Sequence, residues 1–505
     1  MLTYLLSWFL VAFGTPSLLP WLMPLTAFGG YALFWRSLAG VQSRFTLSFV
    51  WFFMIRLIHF SWIATTTYNG PLMWVVYLFV VLAEAALFGL VNKYFSPVGV
   101  AGAWTVVEWA RQFFLCGFPF SPIGQALGFW PAGLQLASVF GSSILTWIVL
   151  MTGALMVTNR RLGSALALAP YAAGMLMLMG EGETGERAQI ALIEPKIAPP
   201  VKGKCPKGWR VVRTPYENWE LYFPSIEKLR ETRPALIGFP EAAFSDLGDI
   251  DCIDFSFAHG LLCALFGEGV VEHYPDHGSF VSHAFILQVI CNALDCEAVS
   301  GMMVQVPGGV ANAAVHFRPL APHHIYGKRR LLPIAESMSL SIFRWVGADF
   351  GIFDSFVASR GPMTFPSRFG KIFPSVCYEE AFSTVSLEAQ GSDLLFNVTN
   401  DGWYPLSRLE KEQKALARLR SIETGLPSLR ACNTGQSGGF DRWGGELPAH
   451  KSGDVTFVTL DLSKRNAPYA AVGDSLLLLI CTATLSLSLL PKKSQGRTLR
   501  RLNLP

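Results

Sequence analysis

Charge is what this chain has least of. Asp, Glu, Lys and Arg make up 15% of its 505 residues, against about 25% in an ordinary soluble domain. Hydrophobic residues reach 51%, which excludes the disordered class. The scarcity is local: residues 1–180 hold seven of the 40 Lys/Arg and two of the 36 Asp/Glu. That division predicts a membrane section followed by a soluble one. The formal net charge is only +4, with no basic stripe in the soluble section, which argues against nucleic acid as a partner. Cysteine is sparse as well, nine in all, with no CxxC spacing and no HExxH, so no metal is expected. No basic segment precedes the first apolar stretch, which argues against a cleavable signal peptide.

What fills the first 180 residues is a series of apolar stretches of about the 20 residues that a bilayer crossing needs. They lie near 1–14, 17–35, 46–65, 71–91, 97–115, 131–157 and 164–180, with an eighth at 475–490. Lys and Arg mark cytoplasmic loops. With the N-terminus inside, Arg36, Arg44, Lys93, Arg160 and Arg161 all face the cytoplasm, as do Lys492, Lys493, Arg497, Arg500 and Arg501. The loops 66–71 and 116–130, placed outside, carry no charge. The core of a large soluble protein would have no reason to sort its charges this way. An odd number of spans before residue 181 delivers the soluble section to the outer side, and the last span returns the C-terminus. The expected domains are 1–182 (membrane, about seven helices), 183–470 (soluble) and 471–505 (final span and basic tail). Glu84, Glu108 and Arg111 within the apolar section are expected to be paired, because unpaired charge in lipid is costly. Glu108 and Arg111, three apart on one helical face, are the natural couple.

In the soluble section, β-rich runs at 189–194, 235–239, 299–306, 313–317, 372–376, 394–398 and 455–462 alternate with helical stretches at 218–232, 282–294 and 409–424. Such alternation favours a sheet covered by helices, an α/β sandwich. Three segments there bear chemistry. Residues 236–241 form an apolar strand that stops at Pro240 and presents Glu241, where partial desolvation would make a general base. Residues 371–380 form another apolar run that ends in Cys377, with helix-like sequence after it, an arrangement that lowers a thiol's pKa. Residues 326–336 carry a basic cluster with Lys328, able to stabilise an oxyanion, and end at Glu336. Each alone has an ordinary reading: a helix N-terminal carboxylate, a buried structural cysteine, a solvated charge run.

Together, Glu241, Lys328 and Cys377 in their local frames resemble the nitrilase, or carbon–nitrogen hydrolase, superfamily. The segments 397–404 and 429–435 are similar to that superfamily's pocket loops. With apolar spans on both sides, and with Val107-Glu108-Trp109-Ala110-Arg111 followed by Cys116-Gly117-Phe118-Pro119-Phe120, the chain resembles the integral-membrane branch, the apolipoprotein N-acyltransferases. The resemblance implies an αββα sandwich beside a polytopic helical membrane domain, in a bacterial inner membrane with the catalytic domain on the periplasmic side. It implies a ping-pong acyltransferase without a cofactor. Glu241 would be the base, Lys328 the oxyanion stabiliser and Cys377 the nucleophile, with Glu336 and Glu379 orienting Lys328 and the base. Tyr378, Trp403 and Asn397 would line the pocket. The implied partners are a phospholipid acyl donor, a diacylglyceryl apolipoprotein acceptor and membrane lipid. The apolar segments 342–345 and 350–356 would dip toward lipid or gate the pocket, or else fill the domain core.

Two features depart from that pattern. Ile193-Glu194-Pro195-Lys196 stands where the superfamily usually shows Gln-Gly-Asn, and the Cys- and His-rich stretch 245–297 matches none of its features. His273, Asp276, His277 and His283 lie close in sequence but fit no metal-ligand spacing. Six soluble-section cysteines besides Cys377 permit up to three disulfides and require none. A membrane-tethered amidase, with water as the acyl acceptor, and a non-catalytic transporter or scaffold are the rival readings.

Overall fold

The computed structural model describes residues 1–67, 70–114, 117–180, 185–199, 205–271, 278–332, 336–337, 356–405 and 407–489. Outside them lie Cys116, His273, Asp276, His277, the segments 342–345 and 350–355, and the basic tail from Lys492. Two compact units emerge: Met1–Thr66, Pro71–Gly182 and Ala467–Pro505 form one, and Thr67–Gly70 with Glu183–Asn466 the other.

The first unit is helical. Leu72–Tyr94 and Arg160–Met179 are long and apolar enough to cross a membrane, and Pro131–Phe140 with Ser143–Thr158 is a third candidate, bent by 116°. The remaining helices are shorter than the stretches read from the sequence: Leu2–Phe13, Tyr31–Ser37, Arg44–His59, Pro97–Ala110 and Ser475–Leu489. Backbone chemistry explains the interruptions. Pro16 stands just before the expected 17–35 span, and Pro20 and Pro24 remove helical N–H donors from it, so that it breaks into short turns. Gly141 ends a helix at φ +79°, with the Tyr469 ring where a Cβ would be.

Three buried charges, Arg56, Glu84 and Glu108, meet the half-buried Arg111 inside this unit. Arg56 Nε lies 2.7 Å from Glu84 Oε2, and Arg111 also pairs with Glu84. The expected Glu108–Arg111 couple is the loosest contact, at 4.0 Å. Glu108 instead accepts from Thr146 Oγ1 at 2.5 Å, Trp104 Nε1 at 3.2 Å and the Ile123 N–H at 3.1 Å. Arg56 donates to the Ser121 carbonyl at 2.9 Å. The cluster thus satisfies the backbone of a non-helical segment, the condition for irregular chain in an apolar unit.

The second unit is an α/β sandwich. Its strands are β1 (Arg187–Ile193), β2 (Leu236–Phe239), β3 (Ile253–Asp254), β4 (Phe280–Val281), β5 (Glu297–Val306), β6 (Gly309–Arg318), β7 (Ala321–Gly327), β8 (Phe365–Ser367), β9 (Gly370–Val376), β10 (Leu394–Thr399), β11 (Ser428–Cys432), β12 (Gly438–Phe440), β13 (Ala449–Ser452) and β14 (Val455–Asp461). One sheet has the order β13-β14-β1-β2-β5-β6-β7, the other β12-β11-β10-β9-β8, and β3 pairs with β4. The two-residue period of a strand sorts the cores. Ile190 and Leu192 of β1 join Val376, Phe396 and Ala431 between the sheets. Ala191 and Ile193 point the other way, toward Trp219, Tyr222 and Leu229 of helix Pro215–Thr232 and toward Ile286 and Ile290 of helix His283–Leu294. Helix Leu409–Thr424 packs against the smaller sheet.

All seven strands and three helices read from the sequence are present, within a few residues at their ends. The unpredicted β11 carries Ser428 and Arg430 in buried positions, the unpredicted β7 carries His323 and His324 in exposed or half-buried ones, and helix Phe255–Phe266 fills part of the Cys- and His-rich stretch.

Candidate active site

The parallel strands of each sheet point their C-terminal ends at one region, where open α/β sheets place their ligands. Glu241 follows β2, Lys328 follows β7 and Cys377 follows β9. Although 136 positions separate Glu241 from Cys377 in sequence, the two side chains are close enough for each to shift the ionisation of the other. Lys328 Nζ lies 3.4 Å from Glu241 Oε1 and 2.8 Å from Glu336 Oε1. Lys328 is 1% and Glu241 4% exposed, so their interactions are little screened by water.

Local backbone explains how each is presented. Cys377 has φ +52° and Ala242, next to Glu241, has φ +50°; both side chains therefore leave sharp left-handed turns at strand ends. Gly301 of β5 lets the chain turn there, since a Cβ would meet Glu241 Cα at 2.4 Å. Glu336 is held by the Leu332 N–H, which donates to its Oε2 at 2.8 Å. Glu379 accepts from the N–H groups of Val376, Arg329 and Arg330 at 2.8, 2.9 and 3.1 Å and from the Tyr326 hydroxyl at 3.0 Å. It orients the backbone on both sides of the site, while Glu336 contacts the ammonium directly.

Burial raises the Glu241 carboxyl above the ordinary carboxylate range against the pull of Lys328 and Asn312, and Glu336 adds to the rise. Burial alone would lower Lys328, but Glu336, Glu241 and Cys377 outweigh it and hold the ammonium charged. Burial and the charge of Glu241 push the Cys377 thiol up, opposed by Lys328. The lowered thiol pKa expected from a following helix is therefore corrected. That helix is a single five-residue 3-10 turn, Cys377–Ala381, with too little dipole to offset desolvation. The resting sulfur is a thiol that needs a base.

Of the other expected pocket residues, Asn397 donates to Ser375 Oγ at 2.9 Å and to the Cys377 carbonyl at 3.2 Å, so it braces the elbow. Tyr378 is buried with its ring edge-on to Phe382. Trp403 is half-buried on the turn Asp401–Trp403. Glu194, at the departure from the superfamily pattern, is taken up by Lys451, Thr456 and the Ser437 N–H. Behind the elbow, Arg430 pairs with Glu380 at 2.7 Å and Asp401 at 3.4 Å.

Three contributors escaped the sequence reading. Asn312 bridges Glu241 and Glu336, at 2.7 and 3.1 Å. Tyr404 is close enough for its hydroxyl to respond to the charges of Cys377 and Glu336. Thr399 lies beside the thiol and opposes the rise of its pKa. Thr399 and Tyr404 fell inside the segment 397–404, and Asn312 lay outside every motif.

Among the described residues, no cluster of three or more His, Cys, Asp or Glu could hold a metal. His283 is a core histidine: Trp219 Nε1 lies 3.0 Å from its Nδ1, and burial lowers its pKa to about 3. The described cysteines are unpaired.

Residues 5–155 match the apolipoprotein N-acyltransferase N-terminal domain, and residues 288–464, which include Lys328 and Cys377 but not Glu241, match the carbon-nitrogen hydrolase domain. The apolipoprotein N-acyltransferase of Chlamydia pneumoniae is 25% identical, over 87% of this chain and 86% of its own. That of Chlamydia trachomatis is 25% identical, over 95% of both, and that of Shewanella oneidensis is 27% identical, over 78% of this chain and 73% of its own. A CN-hydrolase superfamily protein of Xanthomonas campestris aligns at 16% identity and a TM-score of 0.38, covering 60% of this chain and 97% of that one. With both domains matched in order, and relatives of one name along most of its length, the chain is similar throughout to the apolipoprotein N-acyltransferases.

Proposed function

We propose that this N-acyltransferase moves an acyl chain from a phospholipid, through a thioester on Cys377, to the α-amino group of the diacylglyceryl-cysteine that begins an apolipoprotein. The observation that carries the reading is the convergence of Glu241, Lys328 and Cys377 in one buried cluster. Glu241 takes the thiol proton as sulfur attacks the ester carbonyl, and Lys328 stabilises the oxyanion that forms. The tetrahedral species collapses to the thioester, and the lysophospholipid hydroxyl leaves with the proton returned by Glu241. The acceptor amine then attacks the thioester, loses a proton to Glu241, and frees the Cys377 thiol. Tyr378, Trp403 and Tyr404 flank this chemistry; Glu336, Glu379 and Asn397 position it.

The apolar sections 1–182 and 471–505 carry about eight spans, several short or bent, around the catalytic section 183–470. The sorting of Lys and Arg supports cytoplasmic termini and a catalytic domain on the periplasmic side of a bacterial inner membrane. Such an anchor suits substrates that cannot leave a bilayer without exposing many methylenes, at about 0.8 kcal/mol each.

The test is to incubate the purified protein with labelled phospholipid and look by mass spectrometry for an acyl adduct on the Cys377 peptide. The adduct should appear in the wild type, vanish on adding a diacylglyceryl peptide, and be absent from Cys377→Ala. Lipid binding without an adduct in the wild type overturns the mechanism.

A further inference from the structure

Asn312 is an uncharged residue within β6, yet its side chain sits at the focus of the charged cluster and is 1% exposed. Its Nδ2 carries two hydrogens, and there are two takers: Glu241 Oε1 at 2.7 Å and Glu336 Oε1 at 3.1 Å. Those same two oxygens face Lys328 Nζ. The Asn312 backbone carbonyl accepts the Lys328 N–H at 2.7 Å, so one residue fixes both the ammonium's backbone and the carboxylates that hold it. Glu241 Oε2 is left without a hydrogen-bond partner.

Two carboxylates at one site repel, and without donors between them one would keep its proton. The charged and titratable groups facing Glu241 are Lys328, Glu336 and Cys377, with Asp401 and Tyr404 around the thiol. Lys328 supplies one neutralising contact to the pair, and Asn312 supplies the other without adding charge.

We propose that Asn312 is a positioning residue for the base: its amide pins Oε1 of Glu241 beside Glu336, keeps the carboxylate ionised, and leaves Oε2 as the oxygen that receives the thiol proton. The proposal rests on the assignment of Glu241 as the base of acyl transfer.

The test measures alkylation of Cys377 by iodoacetamide, read by peptide mass spectrometry from pH 5 to 9, in the full-length wild type, Asn312→Ala and Asn312→Asp. Asp keeps the side chain's shape while replacing the donor, so it carries the test should Ala fail to fold. The acid limb of the rate profile should move up by about one pH unit in either variant, the scale of a lost hydrogen bond to a charged group. Rates should converge with the wild type at high pH. A limb that stays in place, with rates unchanged or uniformly reduced, overturns the proposal and leaves Asn312 a packing residue. Alkylation needs no lipid. A wild type that alkylates with an acid limb but forms no acyl adduct from phospholipid therefore defeats the acyl-transfer reading, not the role of Asn312.

Discussion

The carboxylate of Glu379 accepts the backbone N–H of Val376, the residue before Cys377, at 2.8 Å, and with its other oxygen the N–H groups of Arg329 and Arg330. One fully buried side chain therefore fastens the turn carrying the thiol to the turn that follows Lys328. In Glu379→Ala these donors and the Tyr326 hydroxyl lose their acceptor. Buried orphans cost about 1–3 kcal/mol each, and removing a buried charge from its partners about 3–5 kcal/mol in all. Denaturant unfolding should register a loss on that scale, together with lost acyl transfer. Glu379→Gln keeps the shape and one acceptor oxygen and should fall in between.

Gly301→Ala tests the seating of the base. Its Cβ would meet backbone atoms of Pro240 and Glu241, at 2.4 Å for Glu241 Cα, and backbone cannot swing aside as a side chain can. A displacement near 1 Å costs about a hundredfold in rate. Thioester formation should fall by about that factor, and a variant with wild-type rate would show that the base tolerates displacement.

At position 377 itself, the left-handed φ of +52° penalises any residue with a Cβ by about 1 kcal/mol and spares glycine. Cys377→Gly should unfold at higher denaturant than Cys377→Ala, although it removes more atoms. The reverse order would mean that the elbow is unstrained.

Stability should fall with rising pH near Glu380. Glu380 and Asp401 share one guanidinium, Arg430, and burial raises Glu380 from 4.5 to about 7. The folded protein thus holds a proton that the unfolded chain releases earlier. This group's contribution is fully present below the unfolded value and is lost as pH rises through about 7. Urea midpoints at pH 5 and pH 8 should differ more in the wild type than in Glu380→Gln. Equal differences would assign the pH dependence elsewhere.

The sequence made legible whatever depends on period and on strand ends. Strands such as β1 and β10, apolar on both faces, stand out, and so do carboxylate, ammonium and thiol placed just past an apolar run. What stayed hidden depends on side chains meeting across the fold. Asn312 is polar in a strand otherwise apolar at its centre, and nothing local separates it from an ordinary surface amide. Arg430 of β11 lies in the segment 429–435 that resembles the pocket loops, yet its partners Glu380 and Asp401, 50 and 29 positions away, are not legible there. Apolar length overestimated helix length in the first unit because hydropathy ignores the prolines at 16, 20 and 24 and the glycine at 141. The thiol's acidity was misjudged because a helix dipole can be anticipated from sequence, whereas depth of burial cannot.

Glu241 and Lys328 stand on the seven-stranded sheet, and Cys377 on the five-stranded one. Neither leaf alone is chemically competent, for the sulfur has no proton acceptor until the two close face to face. Slippage between the leaves would therefore silence the chemistry without touching a single catalytic atom.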